Sequence, residues 1–181
     1  MRPRPSLRSA LLLLAAPLAC SGEDDGPGDA ASPEGLYRIG VHQLAAPCDA
    51  AVAPVSSGPT HFRIEREVLF GTRYFTFQTC ASDLEESCAG GGLLGVTFTE
   101  AVEGGYRGIT KISTGGGGGQ PCVLRTKVAT VALVGDEAQV TLESRETTAP
   151  ELTGDACEPD AADGRALDCE SLELIQGLRV D

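Results

Sequence analysis

The chain has 181 residues, with 14 basic against 26 acidic side chains and a formal net charge of −12. Phosphate neutralisation needs clustered lysine and arginine, so this balance excludes nucleic acid as a partner and gives an anionic lipid surface nothing to attract. Seven cysteines are present, and setting Cys20 apart leaves an even six.

Residues 1–19 carry Arg2, Arg4 and Arg8, then the apolar run Ala10 to Ala16, then Leu18-Ala19 ahead of Cys20. A charged start, an apolar middle and small residues before a cut are the marks of an export signal, and the run falls short of the ~20 residues a bilayer span needs. The segment resembles the signal of bacterial lipoprotein precursors, with Pro17 where that family usually has leucine. The resemblance implies cleavage before Cys20 and lipid on that cysteine, hence a membrane as partner through the N-terminal lipid. Ser21 in the next position favours the outer membrane of the bacterial cell envelope. Cleavage would take three arginines from a chain at −12, leaving about −15.

Residues 20–34 hold Glu23, Asp24, Asp25, Asp29 and Glu34 among small residues, with no basic side chain. Such a stretch buries no apolar area and is expected to be a disordered, solvated tether that holds the body roughly 20 Å from its anchor. Residues 35–181 make one domain.

Period-two alternation dominates that domain, so the fold is expected to be all-β. Tyr37, Ile39 and Val41 point inward from an opening strand, with His42 on the wet face. A hairpin turning at Gly71-Thr72 sets Val68 against Phe75 and Arg66 against Phe77, with Ile64, Phe70 and Thr79 on the same face and Glu65, Glu67, Thr76 and Gln78 outside. Gly104-Gly105 turns another, in which no single register separates apolar from polar residues. The clearest turns at Gly135-Asp136 and pairs Val131 with Val140, Ala129 with Leu142 and Leu133 with Ala138. Leu172, Leu174, Leu178 and Val180 alternate inward in a closing strand. Eight strands, near 36–42, 61–70, 72–80, 93–102, 106–113, 122–134, 137–146 and 169–180, predict a small antiparallel up-and-down barrel, the alternative being a two-sheet β-sandwich. The opening Gly35-x-Tyr37 strand and this meander resemble lipocalin-like barrels, which implies carriage of a small apolar or acidic ligand inside.

Cys48, Cys80, Cys88, Cys122, Cys157 and Cys169 form a disulfide framework in an exported domain. Spacing suggests Cys80 with Cys88 and Cys157 with Cys169, leaving Cys48 with Cys122. No Cys-x-x-Cys occurs and only His42 and His61 are available, so no metal or other cofactor is expected. Gly115 to Gly119 leads into Gln120-Pro121-Cys122, without the Lys-Ser/Thr of a phosphate loop, and reads as a connector, as does Ala89 to Gly92. Neither histidine lies in a nucleophile elbow, and no enzymatic activity is expected. Asp155, Glu158, Asp160, Asp163 and Asp168 make an exposed acidic loop. One discordant detail remains. Arg66, and less strongly Arg73, shares a face with Phe77, and a guanidinium on an apolar lining must find an anion, a ring or water. Arg66, Arg73 and Phe77 are therefore candidate ligand-binding residues, and the function classes carried forward are an envelope protein contact or structural role and a small-ligand carrier.

Overall fold

The computed structural model describes residues 31–91 and 95–180. The expected signal, Cys20 and the tether as far as Ala30 lie outside the described residues, as does part of the Ala89 to Gly92 connector. The strands are β1 (Gly35–Ala45), β2 (Ala53–Pro54), β3 (His61–Leu69), β4 (Thr72–Cys80), β5 (Cys88–Ala89), β6 (Val96–Phe98), β7 (Glu100–Val102), β8 (Gly105–Thr114), β9 (Cys122–Val134), β10 (Glu137–Ala149) and β11 (Asp168–Arg179). All pairings are antiparallel, in one curled sheet of order β5-β4-β3-β1-β11-β10-β9-β8-β7. Its two ends meet at residues 96–102, where β6 pairs with β4 and β7 with β8, and Thr99 N–H donates to the Arg107 carbonyl at 2.9 Å. With β6 and β7 taken as one interrupted strand and the two-residue β2 and β5 set aside, this is the expected eight-stranded meander rather than a two-sheet sandwich. Among the described residues no helix is long and apolar enough to cross a membrane.

The β9–β10 hairpin has the expected register, with Val131 opposite Val140, Ala129 opposite Leu142 and Leu133 opposite Ala138. Its turn glycine, Gly135, sits at φ 60°, the conformation that a primed two-residue turn asks of its first residue. In β3–β4 the turn is Phe70-Gly71 rather than Gly71-Thr72, both residues having positive φ. Ile64 therefore faces Phe77 and Arg66 faces Phe75. A shift of two residues keeps the strand side chains on their expected faces but moves Phe70, expected inward, into the turn, where it is 98% exposed, and Thr76, expected outside, is fully buried. The β7–β8 turn is Glu103-Gly104, one residue earlier than expected. That segment resisted a single register because its first half pairs with one strand and its second half with another.

Two strands depart in phase. In β1 a bulge between Ile39 and Val41 reverses the alternation, so Val41 lies opposite Gln176 and His42 opposite the fully buried Ile175. In β11 the inward residues are Glu173, Ile175 and Gly177, while Leu178 is 51% exposed on the outer face. Leu172, Leu174 and Leu178 make the even positions the more apolar ones, yet packing selects the odd positions, which hold Ser171, Glu173, Ile175 and Gly177. A Cβ at Gly177 would lie 2.5 Å from Phe62 Cε1 and 3.0 Å from Tyr37 Cβ, so a glycine is needed where those rings stack at 4.8 Å. The core fills the middle of the barrel with Tyr37, Phe62, Ile64, Phe75, Phe77, Phe98, Val131, Val140 and Ile175.

Three disulfides form, and they place the domain in an oxidising, exported compartment. Cys80–Cys88 is as expected, but the other two are Cys48–Cys169 and Cys122–Cys157, with Cα separations of 5.5 and 5.6 Å. The expected Cys157–Cys169 and Cys48–Cys122 pairs are thereby overturned. Cys48 follows β1, the neighbour of β11, whereas the 150–167 loop folds over β9 and brings Cys157 to Cys122. The expected acidic loop is this segment. It packs its Ala162 over Cys122, Leu124 and Ala149 and ties Lys111 to Asp160 and Asp163.

The barrel thus has two unlike ends. Three two-residue turns and the entry of the chain at Gly35 make one, the hairpin end. The long connections and all three disulfides make the other, the loop end.

Candidate functional site

Antiparallel register lays the concave faces of β8, β9, β10 and β11 out as cross-strand rows. Deepest is Tyr106–Val131–Val140–Ile175, part of the core. Next toward the loop end comes Gly108–Ala129–Leu142–Glu173, then Thr110–Lys127–Ser144–Ser171, and at the rim Ile112–Arg125–Glu146–Asp168. The interior therefore changes from apolar to polar to charged over four rows. Where it turns polar the side chains stop filling the barrel and leave an open cavity of about 360 Å³.

Most charges lining this cavity are internally answered. Glu173 Oε1 lies 2.5 Å from His42 Nε2, a contact made possible by the β1 bulge. Arg125 pairs with Glu146 and lies 3.6 Å from Glu170, and Glu143 pairs with Arg145. Lys127 is different. Among the described residues neither its ammonium nor the hydroxyls of Thr110, Ser144 and Ser171, its neighbours in the same row, has a hydrogen-bond or ion-pair partner in the protein. Val96, Ala129 and Leu142 supply an apolar wall. An ammonium flanked by the hydroxyls of Thr110 and Ser144, with that of Ser171 one strand further along the row, above an apolar floor can hold a small polar molecule, and none of these residues stands out in the sequence. The signal was available only as register, because Lys127 looks like an ordinary strand lysine until its cross-strand partners are known.

The candidate ligand residues lie at the opposite end. Arg66 and Arg73 share a second cavity of about 320 Å³ with Ser32, Phe75, Phe98 and Tyr106. Phe77 does not line it. It is 5% exposed and packed in the core opposite Ile64, because the two-residue register shift puts Phe75 beside Arg66 instead. The Arg66 side chain is 52% exposed and its Nε lies 3.5 Å from Glu34 Oε2, so the guanidinium reaches water and finds its anion within the chain. The base of the tether caps this end. Tyr37 Oη donates to the Pro33 carbonyl at 2.8 Å, and Arg179 Nη2 donates to Tyr37 Oη at 2.7 Å and to the Ser32 carbonyl at 3.2 Å.

The other histidine, His61, contacts Thr60 Oγ1 through Nδ1 at 2.9 Å, but that hydroxyl already donates to the Ala81 carbonyl at 2.8 Å. Its proton is held by a carbonyl, not a base. Among the described residues no group of three or more His, Cys, Asp or Glu side chains is arranged to hold a metal ion. No protein-family model, curated protein or solved structure matches the chain.

Proposed function

We propose that this protein is a non-enzymatic lipoprotein of the bacterial cell envelope, held by lipid on Cys20, whose barrel binds a small ligand in its loop-end cavity. The observation that carries the binding role is that cavity, of about 360 Å³. Its volume lies in the range of natural ligand sites and its polar groups converge on one row. The chain enters the barrel at Gly35, on the hairpin end, so a body tethered through residues 20–34 would carry the cavity on the side away from its anchor. The lipocalin-like resemblance supports carriage but not its expected location, since the deep interior is filled by aromatic and aliphatic side chains.

A protein-contact role is the second reading, and it has its own support. Phe70 is 98% exposed and Val134 77% exposed on two turns of the hairpin end, with Leu178 and Val180 about half exposed nearby in the fold. Intact mass of the protein purified from its native membrane tests the anchor. The expected mass is that of residues 20–181 with acyl chains added and six hydrogens lost to three disulfides. A mass matching an unacylated chain would exclude lipid on Cys20.

A further inference from the structure

Lys127 is the only charged side chain lining the loop-end cavity that has no partner in the protein among the described residues. Glu173 is engaged by His42, Glu143 by Arg145, and Arg125 by Glu146 and Glu170. A cationic ligand would therefore have to compete for carboxylates already engaged by Arg145, Arg125 and the His42 ring. An anionic one meets an ammonium with nothing to displace. The hydroxyls of Thr110 and Ser144 on either side of Lys127, and that of Ser171 beyond Ser144, each offer a donor and acceptor, and burying them under a purely apolar ligand would cost hydrogen bonds to water with no return.

We infer that the row Thr110–Lys127–Ser144–Ser171 recognises a small hydroxylated organic anion of the sugar-acid kind. Its carboxylate would sit on Lys127 Nζ, its hydroxyls on the three side-chain hydroxyls, and its C–H face on Ala129 and Leu142. This rests on the ligand-binding reading above and adds the ligand's charge and chemistry. The filled core beneath the row limits depth, so a compact ligand fits where a long acyl chain does not. A hydrogen bond to a charged group contributes about 10- to 100-fold in affinity.

The test uses the mature full chain, with D-gluconate as the anionic probe and glucose and glucosamine as neutral and cationic ones, followed by amide NMR shifts. Gluconate is expected to move the signals of residues 110, 127, 144 and 171 saturably, and glucose to bind at least about tenfold more weakly. Lys127→Gln should lose about tenfold or more of the gluconate affinity, while Lys127→Arg stays within about threefold. Unchanged melting of Lys127→Gln certifies its fold. Gluconate that leaves this row unmoved, moves the Arg66–Arg73 end instead, or binds Lys127→Gln equally well overturns the inference. Glucose or glucosamine moving the row without gluconate would leave the ligand-binding reading standing and remove only the anion. Silence from all three probes would count against both.

Discussion

A missing side chain decides how the barrel closes. A Cβ on Gly108 would lie 1.7 Å from the Thr97 carbonyl oxygen, which is backbone and cannot swing away. Residues 96–102 reach both β4 and β8 only because β8 has no side chain at that point. Gly108→Ala should therefore cost at least about 2 kcal/mol by forcing the seam apart. Gly40, at the β1 bulge, has nothing within 4 Å of the equivalent position and no left-handed φ, so Gly40→Ala should fall within about 0.5 kcal/mol of neutral. Urea unfolding of the two variants checks the contrast, and equal losses would show that the close approach does not matter. The bulge itself has a further consequence. By reversing the alternation it brings His42 to Glu173, at the edge of the cavity rather than on the wet face where strict alternation would put it.

At the scale of elements, legibility followed the agreement between turn chemistry and register. Gly135-Asp136 suits a primed turn and sits midway between matched apolar residues, so β9–β10 was readable to the residue. Phe70 at φ 50° is a poor left-handed residue, and no sequence rule would choose it over the glycine next to it. β11 is inverted against its own alternation: Leu172, Leu174 and Leu178 favour the even phase, and the close approach of Gly177 to Phe62 and Tyr37 selects the odd one. The cavity was not legible at all. Its four rows join residues up to 69 positions apart, from Tyr106 to Ile175, and exist only once three registers are set together.

The 150–167 loop is likewise held by pairings that no local pattern announces, and they titrate. The Lys111 ammonium is stabilised by hydrogen bonds to Asp163 and Asp160, which raise its pKa. That contribution is complete below the ordinary lysine value and is lost as pH rises through the raised one. Glu151 is held below the usual carboxylate value by a backbone hydrogen bond and by Arg165. Its contribution is present above the ordinary glutamate value and lost as pH falls through the lowered one. Melting of wild type against Glu151→Gln should differ slightly near neutrality and converge in acid, once pH falls through the lowered value. For Lys111→Met the gap should close on the far alkaline side. Both gaps should shrink in high salt, since these groups lie at the surface. A Glu151 gap that persists in acid would mean that something other than its charge holds the loop.

Across the whole molecule, stapling and openness coincide. All three disulfides lie at the end where the side chains stop filling the barrel, and Cys48–Cys169 is next to Glu170 and Ser171 on the cavity wall. A wall with little packing behind it loses less freedom on binding if a covalent bond already limits it. The same bonds act on the unfolded chain in proportion to the loop they close. Separations of 121, 35 and 8 residues correspond to roughly 5, 4 and 2.5 kcal/mol in the chain-entropy account. Paired serine variants should therefore melt in the order Cys48/Cys169 lowest, then Cys122/Cys157, then Cys80/Cys88. Wall position adds a second expectation. Removing Cys48–Cys169 should weaken gluconate binding well below the melting range, whereas removing Cys80–Cys88, which joins β4 to β5 away from the cavity, should leave it unchanged. An equal loss from both would mean that the bridges stabilise the barrel as a whole and do not shape its open end.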